Sequence, residues 1–443
     1  MDRILNGQTE PKNRIAQNTY PVWGIVVVMG LLFLSPFLSS YPAYVAFVIC
    51  LYRMIRYDAK VFAVDYCVLA PMTQIFCAHS GMSLLLYLVL LAAVWYLIRG
   101  GIRNSANYIL LIILMNYLLA RMQLNVTQFL LCFGHLCMIC VIVPKQDRKS
   151  AALATKLFCI SLLISSVYAL LVRNTWQLRA IIGAESEAIY STGIMRFRGL
   201  LADPNYYMTF LVIGMVLLAK LKQSNEISTK YFMVGILCII VLGIMTYSKS
   251  FVVMLALLVC IYVFWQFYNR KYLLGFLLLL GIVGCVHWVI TSDSPFATVL
   301  ARFSGNNLNK VTTGRTGLMV LYLKEVVSDY GSILFGKGLN DPGLAMDPHN
   351  LYIELMYYIG LIGLILYLTF FGTLVVEIQK TVGRNNSLNR VSNNTILIAV
   401  LIMFFSLHGM YQMIFYADIF LLMICMWIIP VQRENVDLSV SVL

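Results

Sequence analysis

Fourteen apolar stretches, most of them close to the length of a bilayer crossing, leave this chain few choices of fold. They run near 20–38, 41–56, 60–77, 80–98, 105–120, 125–143, 152–172, 204–220, 229–246, 249–267, 272–290, 350–376, 393–412 and 414–430. A straight helical crossing takes about 20 apolar residues. Several stretches are shorter, so the sequence predicts about 12–14 transmembrane helices. Of 443 residues, 61% are hydrophobic and 12% charged, and the mean hydropathy is +0.84. That balance excludes two or three soluble domains and predicts an all-α polytopic integral membrane protein.

The net charge of +13 raises the question of nucleic acid, and the distribution of the charge answers it. With the N-terminus inside, the inner connections carry Arg53, Arg56, Lys60, Arg99, Arg103, Lys145, Arg148, Lys149, Lys220, Lys222, Lys230, Arg270, Lys271, Lys380, Arg384 and Arg390. The short outer turns carry only Arg121 and Lys249. This is the positive-inside bias of a membrane protein, with no nucleic-acid partner implied. The expected organisation is a cytoplasmic tail (1–19, with Arg3, Lys12 and Arg14 and no cleavable signal pattern), an N-terminal transmembrane bundle (20–172) and an outer loop (173–203). Further transmembrane helices (204–290) follow, with an outer turn at 247–250, then a large outer loop (291–349), C-terminal transmembrane helices (350–430) and a cytoplasmic tail (431–443). Within the large loop, the apolar run 317–327 is too short to span and is expected to lie as a helix in the outer interface. Gly331, Gly336, Gly338 and Gly343 are expected to break the chain into turns after it.

The eleven cysteines all lie in or beside apolar segments and the two long loops have none, so no disulfide framework is expected. Cys137-x-x-Cys140, with Cys132 and His135 nearby, falls inside an apolar stretch and reads as apolar filler rather than a metal or redox centre. His135, His287 and His408 read as packed helix residues, and His79 lies at an outer helix end.

Chemistry-bearing residues gather in the second half of the chain. Both long loops end in an Asp-Pro pair: Asp203-Pro204-Asn205 opens one apolar stretch and Asp347-Pro348-His349-Asn350 opens another. Asp caps helices and Pro suits the first helical position, so these pairs also read as ordinary helix starts. His349, taken to lie in a first helical turn, would feel the positive helix terminus, which keeps its ring neutral and available as a base. Cations accompany it on the outer side: Arg196 and Arg198 just before Asp203, Lys249 in Ser248-Lys249-Ser250, and Arg302 and Arg315 in the large loop. They could pair with Glu185, Glu187 or Asp293 or with lipid headgroups. Grouped with helix N-termini, they also suit a diphosphate.

In order, these pieces resemble the O-antigen ligase and surface-polysaccharide polymerase superfamily of bacterial envelopes. The matching residues are Arg196-x-x-Gly199, Asp203-Pro204-Asn205, Ser248-Lys249, Gly314-Arg315, Phe335-Gly336-x-Gly338, His349-Asn350-x-Tyr352 and Gly360-x-x-Gly363, confined to about 196–370. Lys249 stands where members of the family usually carry Arg, a point charge in place of a planar fork. The resemblance implies a GT-C-like fold and a metal-independent glycosyltransferase without cofactor, using undecaprenyl-diphosphate-linked oligosaccharide at the outer face of the bacterial cytoplasmic membrane. It implies His349 as the general base and Arg196, Lys249 and Arg315 as diphosphate ligands, with Arg198 able to share that role. Asp203, Asn205, Asn350 and Tyr352 would support the site. Membrane lipids, a flippase and a chain-length regulator would be its neighbours. A polymerase joining lipid-linked repeat units is the first expectation, and a ligase moving the glycan to lipid A-core is the alternative. A flippase or transporter fits less well, because even Glu354 and Asp418 fall near the outer ends of their stretches rather than at mid-membrane.

Overall fold

The computed structural model describes residues 20–77, 83–100, 105–122, 126–142, 145–175, 196–201, 203–268, 270–291, 314–338 and 350–382. The stretches 393–412 and 414–430, together with His79, Arg302, Gly343, Asp347, Pro348, His349, His408 and Asp418, lie outside the described residues. Within them the chain is helical, and the only strand-like feature is one isolated bridge between Cys77 and Ser83.

The helices are α1 (Val22–Leu38), α2 (Tyr41–Arg56), α3 (Ala59–Leu69), α4 (Leu84–Gly100), α5 (Ser105–Met122), α6 (Val126–Ile142) and α7 (Arg148–Val172). They continue as α8 (Pro204–Gln223), α9 (Thr229–Met245), α10 (Lys249–Tyr268), α11 (Tyr272–Thr291), α12 (Arg315–Val326), α13 (Tyr330–Phe335) and α14 (Leu351–Val382). Four segments are long and apolar enough to cross a membrane: α7, α8, α10 and Leu351–Leu374 of α14. Several others are apolar but shorter. A helix of 17 residues such as α1 rises about 26 Å against a hydrocarbon core of about 30 Å.

Local chemistry starts the helices where the sequence suggests. Asp58 accepts from the backbone N–H groups of Lys60 and Val61 to cap α3, and Asp147 and Ser150 form a reciprocal capping box on α7. The face of α7 turned inward is built of small residues, including Ala151, Ala154, Ser161, Ser165 and Ala169. Their size lets α3 and α8 approach closely.

Two apolar stretches depart from the expected continuous spans. The stretch 60–77 is a short helix, α3, followed by a 3₁₀ turn at Ala70–Met72 and irregular chain. Pro71 ends the helical hydrogen-bond ladder. The freed carbonyls are taken up locally: Ser83 Oγ donates to Thr73 O at 2.7 Å, Leu84 N to Phe76 O at 2.7 Å and Ser35 Oγ to Ile75 O at 3.3 Å. Non-helical backbone at membrane depth survives only when sheathed in protein in this way. The second departure is Gly360, with φ 65° and ψ −171° inside α14. The kink divides α14 into a short arm, Leu351–Ile359, and a longer one, Leu361–Val382. Gly331, expected in a turn, lies inside α13.

Arg53 is a further correction. It is not an exposed topology charge but a buried one, 3% exposed. Its Nε and Nη2 donate to Asp65 at 2.8 and 2.7 Å, and Nη1 donates to Pro21 O at 2.9 Å. Tyr20 donates its hydroxyl to the same carboxylate. The planar guanidinium fork matches the carboxylate edge, so both charges are satisfied and the start of α1 is tied to α2 and α3.

One end of the bundle, called here the lower end, is marked by the Lys60–Asp147 ion pair joining the bases of α3 and α7. Lys156 and Arg148 of α7 reach Glu226, in the α8–α9 connection, at 2.7 and 3.5 Å. The Lys156 hydrogen bond holds the Glu226 carboxyl below its usual range against slight desolvation, and the charges of Lys156 and Arg148 add to the same effect. A depressed folded-state value means stability present above the unfolded value, about 4.3, and lost as pH falls through the lower folded one. Thermal unfolding in detergent is thus expected to lose a modest increment on acidification below about pH 4.5. Glu226→Gln should flatten that part of the profile, and an unaltered profile would show that the pair does not couple to folding.

Candidate functional site

The upper end, opposite the Lys60–Asp147 pair, collects the C-termini of α5 and α7 and the N-termini of α8 and α10. Asp203 caps α8 through its Oδ1, which accepts from Asn205 N at 2.6 Å and Tyr206 N at 3.3 Å, with Pro204 at the first helical position. This is the helix start expected from Asp203-Pro204-Asn205.

Asn205 is the centre of the group. Its Oδ1 accepts from Arg196 Nη2 at 3.2 Å and from Ser248 Oγ at 3.0 Å. Because arginine can only donate, the atom facing it is the amide oxygen. Arg196 Nε also donates to Thr246 O at 2.9 Å, and Phe197 N donates to Met245 O at 2.9 Å. The segment 196–201 is thereby sewn along the end of α9 and the turn into α10. That turn is tight: Tyr247 has φ 47° and Thr246 closes the last turn of α9 by donating its hydroxyl to Gly243 O. Lys249, half-buried, is the first residue of α10. Gly199 is required by the same packing. It has φ 59°, and a Cβ there would lie 2.5 Å from the Tyr207 ring. Tyr207 in turn stacks edge-on with Phe197 and shares a 2.6 Å hydrogen bond with Ser166 of α7.

Arg196, Asn205 and Ser248 are thus joined by hydrogen bonds at one corner, next to the N-termini of α8 and α10, with Asp203 at the first of these and Lys249 opening the second. The Asp203 carboxylate already serves its cap. Arg196 is held by two acceptors, and Arg198 is buried within the same segment. Thr246, Met245 and Tyr207 were not singled out in the sequence, because backbone acceptors and ring packing carry no residue signature.

The remaining candidates belong to a second group at the same end. Arg315 opens α12 directly after Gly314, whose φ of 87° suits glycine. Helix α12 packs on α14, with Tyr322 and Tyr357 rings 4.6 Å apart. Asn350 caps α14, its Oδ1 accepting from Ile353 N at 3.1 Å. The helix begins at Leu351, and Asp347, Pro348 and His349, expected to open it, lie outside the described residues. Tyr352 is half-buried in the short arm of α14, and Glu354 of that arm is buried. Arg315, Asn350 and Tyr352 therefore sit on elements distinct from those that gather Arg196, Asn205 and Lys249.

Among the described residues no cluster of three metal-ligating side chains occurs, and the nine cysteines whose side chains are described form no disulfide with one another, with Cys132, Cys137 and Cys140 buried in the core. His135 is buried beside them. No protein-family model, curated protein or solved structure matches the chain. The functional reading therefore rests on this chain's own residues.

Proposed function

We propose that the protein is a polytopic bacterial inner-membrane glycosyltransferase with a GT-C-like arrangement of about 12–14 crossings. In this reading its upper end faces outward and acts on a polyprenyl-diphosphate-linked glycan. The observation that carries the reading is the hydrogen-bonded corner of Arg196, Asn205 and Ser248, with Lys249 beside it. Three motifs separated in sequence meet there, and in this reading the corner receives the diphosphate.

The chemistry follows from that binding mode. The diphosphate would lie against Arg196, Lys249 and the two helix N-termini, with Arg198 and Arg315 as further cations. An acceptor hydroxyl, losing its proton to His349, would form a new bond to the anomeric carbon. The bond from that carbon to the diphosphate oxygen would break, and the polyprenyl diphosphate would leave with the electron pair. Fixed cations stabilise the growing negative charge without reorganisation, which is the largest kind of contribution available to such a site. The acceptor in the polymerase reading is another lipid-linked repeat unit.

Surface glycan from a strain lacking the gene tests the reading. A single repeat on the acceptor is the expected result, a bare acceptor would indicate a ligase, and an unchanged glycan ladder would overturn both. Lys249→Arg is expected to retain most of the polymer and Lys249→Ala to lose about 10-fold or more, since a charge-assisted contact to phosphate contributes about 1.5–3 kcal/mol. Equal activity of the two variants would remove Lys249 from the diphosphate site.

A further inference from the structure

Arg121, at the upper end of α5, stands out among the cations because its hydrogen-bond partners are backbone carbonyls, with no carboxylate partner among the described residues. Its Nε donates to Phe335 O at 2.8 Å, its Nη2 donates to Gly336 O, and its guanidinium lies 5.9 Å from the Phe335 ring centre. The segment it grips is pressed against the fold in α14. Lys337 N donates to Tyr357 O at 2.6 Å and Gly338 N donates to Tyr358 O at 3.1 Å, while Tyr117 of α5 donates its hydroxyl to Ile359 O at 2.9 Å. These are the carbonyls that a break at Gly360 takes out of the helical ladder.

The approach is backbone to backbone. A Cβ at Gly336 would lie 2.5 Å from the Tyr358 carbonyl carbon and 2.6 Å from the nitrogens of Ile359 and Gly360. A Cβ at Gly338 would lie 2.7 Å from Arg121 O. Gly336, Gly338 and Gly360 all have positive φ, so both spacing and conformation exclude larger residues there. Three segments thus lock at one point, and the arm Leu351–Ile359 projects from it, buried at Leu351, Glu354, Leu355, Tyr357 and Ile359.

We propose that Arg121 is a positioning residue: by clamping Phe335–Gly338 onto Tyr357–Gly360 it sets the depth and direction of the short arm of α14 that begins at Asn350. The consequence for catalysis rests on the glycosyltransferase reading above, whereas the clamp itself does not. A rigid short arm presents its N-terminal end at a fixed place, and misplacement of reacting groups by about 1 Å costs on the order of 10²-fold in rate.

The test uses the full-length protein in lipid nanodiscs, as wild type, Arg121→Ala, Arg121→Lys and Tyr117→Phe. Amide hydrogen exchange of Leu351–Gly360 is expected to accelerate at least 10-fold in Arg121→Ala, with α7 and α8 unchanged and with partial recovery in Arg121→Lys, which retains one donor of the fork. Tyr117→Phe should loosen the same residues more weakly. Polymer formation from lipid-linked repeats should fall in turnover with little change in apparent KM, in the same rank order. Unchanged exchange in Arg121→Ala overturns the clamp whatever the activity. Accelerated exchange with no transferase activity even in the wild type leaves the clamp standing and overturns the functional reading instead. If Arg121→Ala does not insert, Tyr117→Phe and Arg121→Lys carry the decision by the same exchange measurement.

Discussion

Asp65→Ala is expected to destabilise the protein by about 3–5 kcal/mol, enough to prevent accumulation of folded protein in many membrane preparations. The reason is the charge left behind. Arg53 is 3% exposed and directs its Nε and Nη2 at Asp65, so removal of the carboxylate strands a guanidinium in an apolar interior. Asp65→Asn keeps one acceptor and should cost less. Tyr20→Phe removes one hydroxyl donor and should cost about 1 kcal/mol. The paired change Arg53→Met with Asp65→Leu removes both charges together and is expected to recover much of the loss, because buried ion pairs are often replaceable by apolar residues of similar volume. Thermal unfolding in detergent, read on the four variants, decides the matter. A midpoint for Asp65→Ala within error of wild type would contradict a buried pair.

The second large effect concerns His349. His349→Ala should reduce transfer by about 10²–10⁴-fold, the usual contribution of a positioned general base. The protein should still insert and lipid-linked single repeats should accumulate. Normal polymer length in that variant would remove the base role. A pH–rate profile with an acidic limb is expected of a histidine base, and that limb should be missing in His349→Ala.

Much of the architecture is legible from local chemistry. Asp203-Pro204 and Asp147 mark helix starts because a capping carboxylate acts within three residues of itself. The apolar stretches mark helices because the cost of unpaired backbone in lipid leaves no alternative. Partnership over distance is what the sequence conceals. Arg53 reads as one more basic residue in a connection, and only its meeting with Asp65, twelve positions on, turns it into part of the core. Gly360 enters the sequence reading only through Gly360-x-x-Gly363, while its close approach to Gly336, on a different segment, appears only in the fold. In the candidate site, Asn205 and Lys249 were visible as residue types, but the carbonyls of Met245 and Thr246 that fix their neighbours belong to backbone and have no letter. Arg315 and Asn350 matched motifs by order along the chain, which carries no information about which helices they join.

The irregular chain after α3 also bears on how the molecule is made. Its carbonyls and that of Val68 are quenched by Ser35 of α1, by Ser83 and Leu84 at the start of α4, and by Ser161 of α7, which donates to Val68 O at 2.5 Å. Ser161 is synthesised 93 positions after Val68. Until α7 emerges, residues 59–77 have no complete shelter from acyl chains. They cannot leave the insertion machinery as a solitary hairpin at low cost. The ribosome must therefore deliver more than a third of the polypeptide before this early segment reaches its resting place, which makes biogenesis here an act of joint release rather than one of threading helices singly.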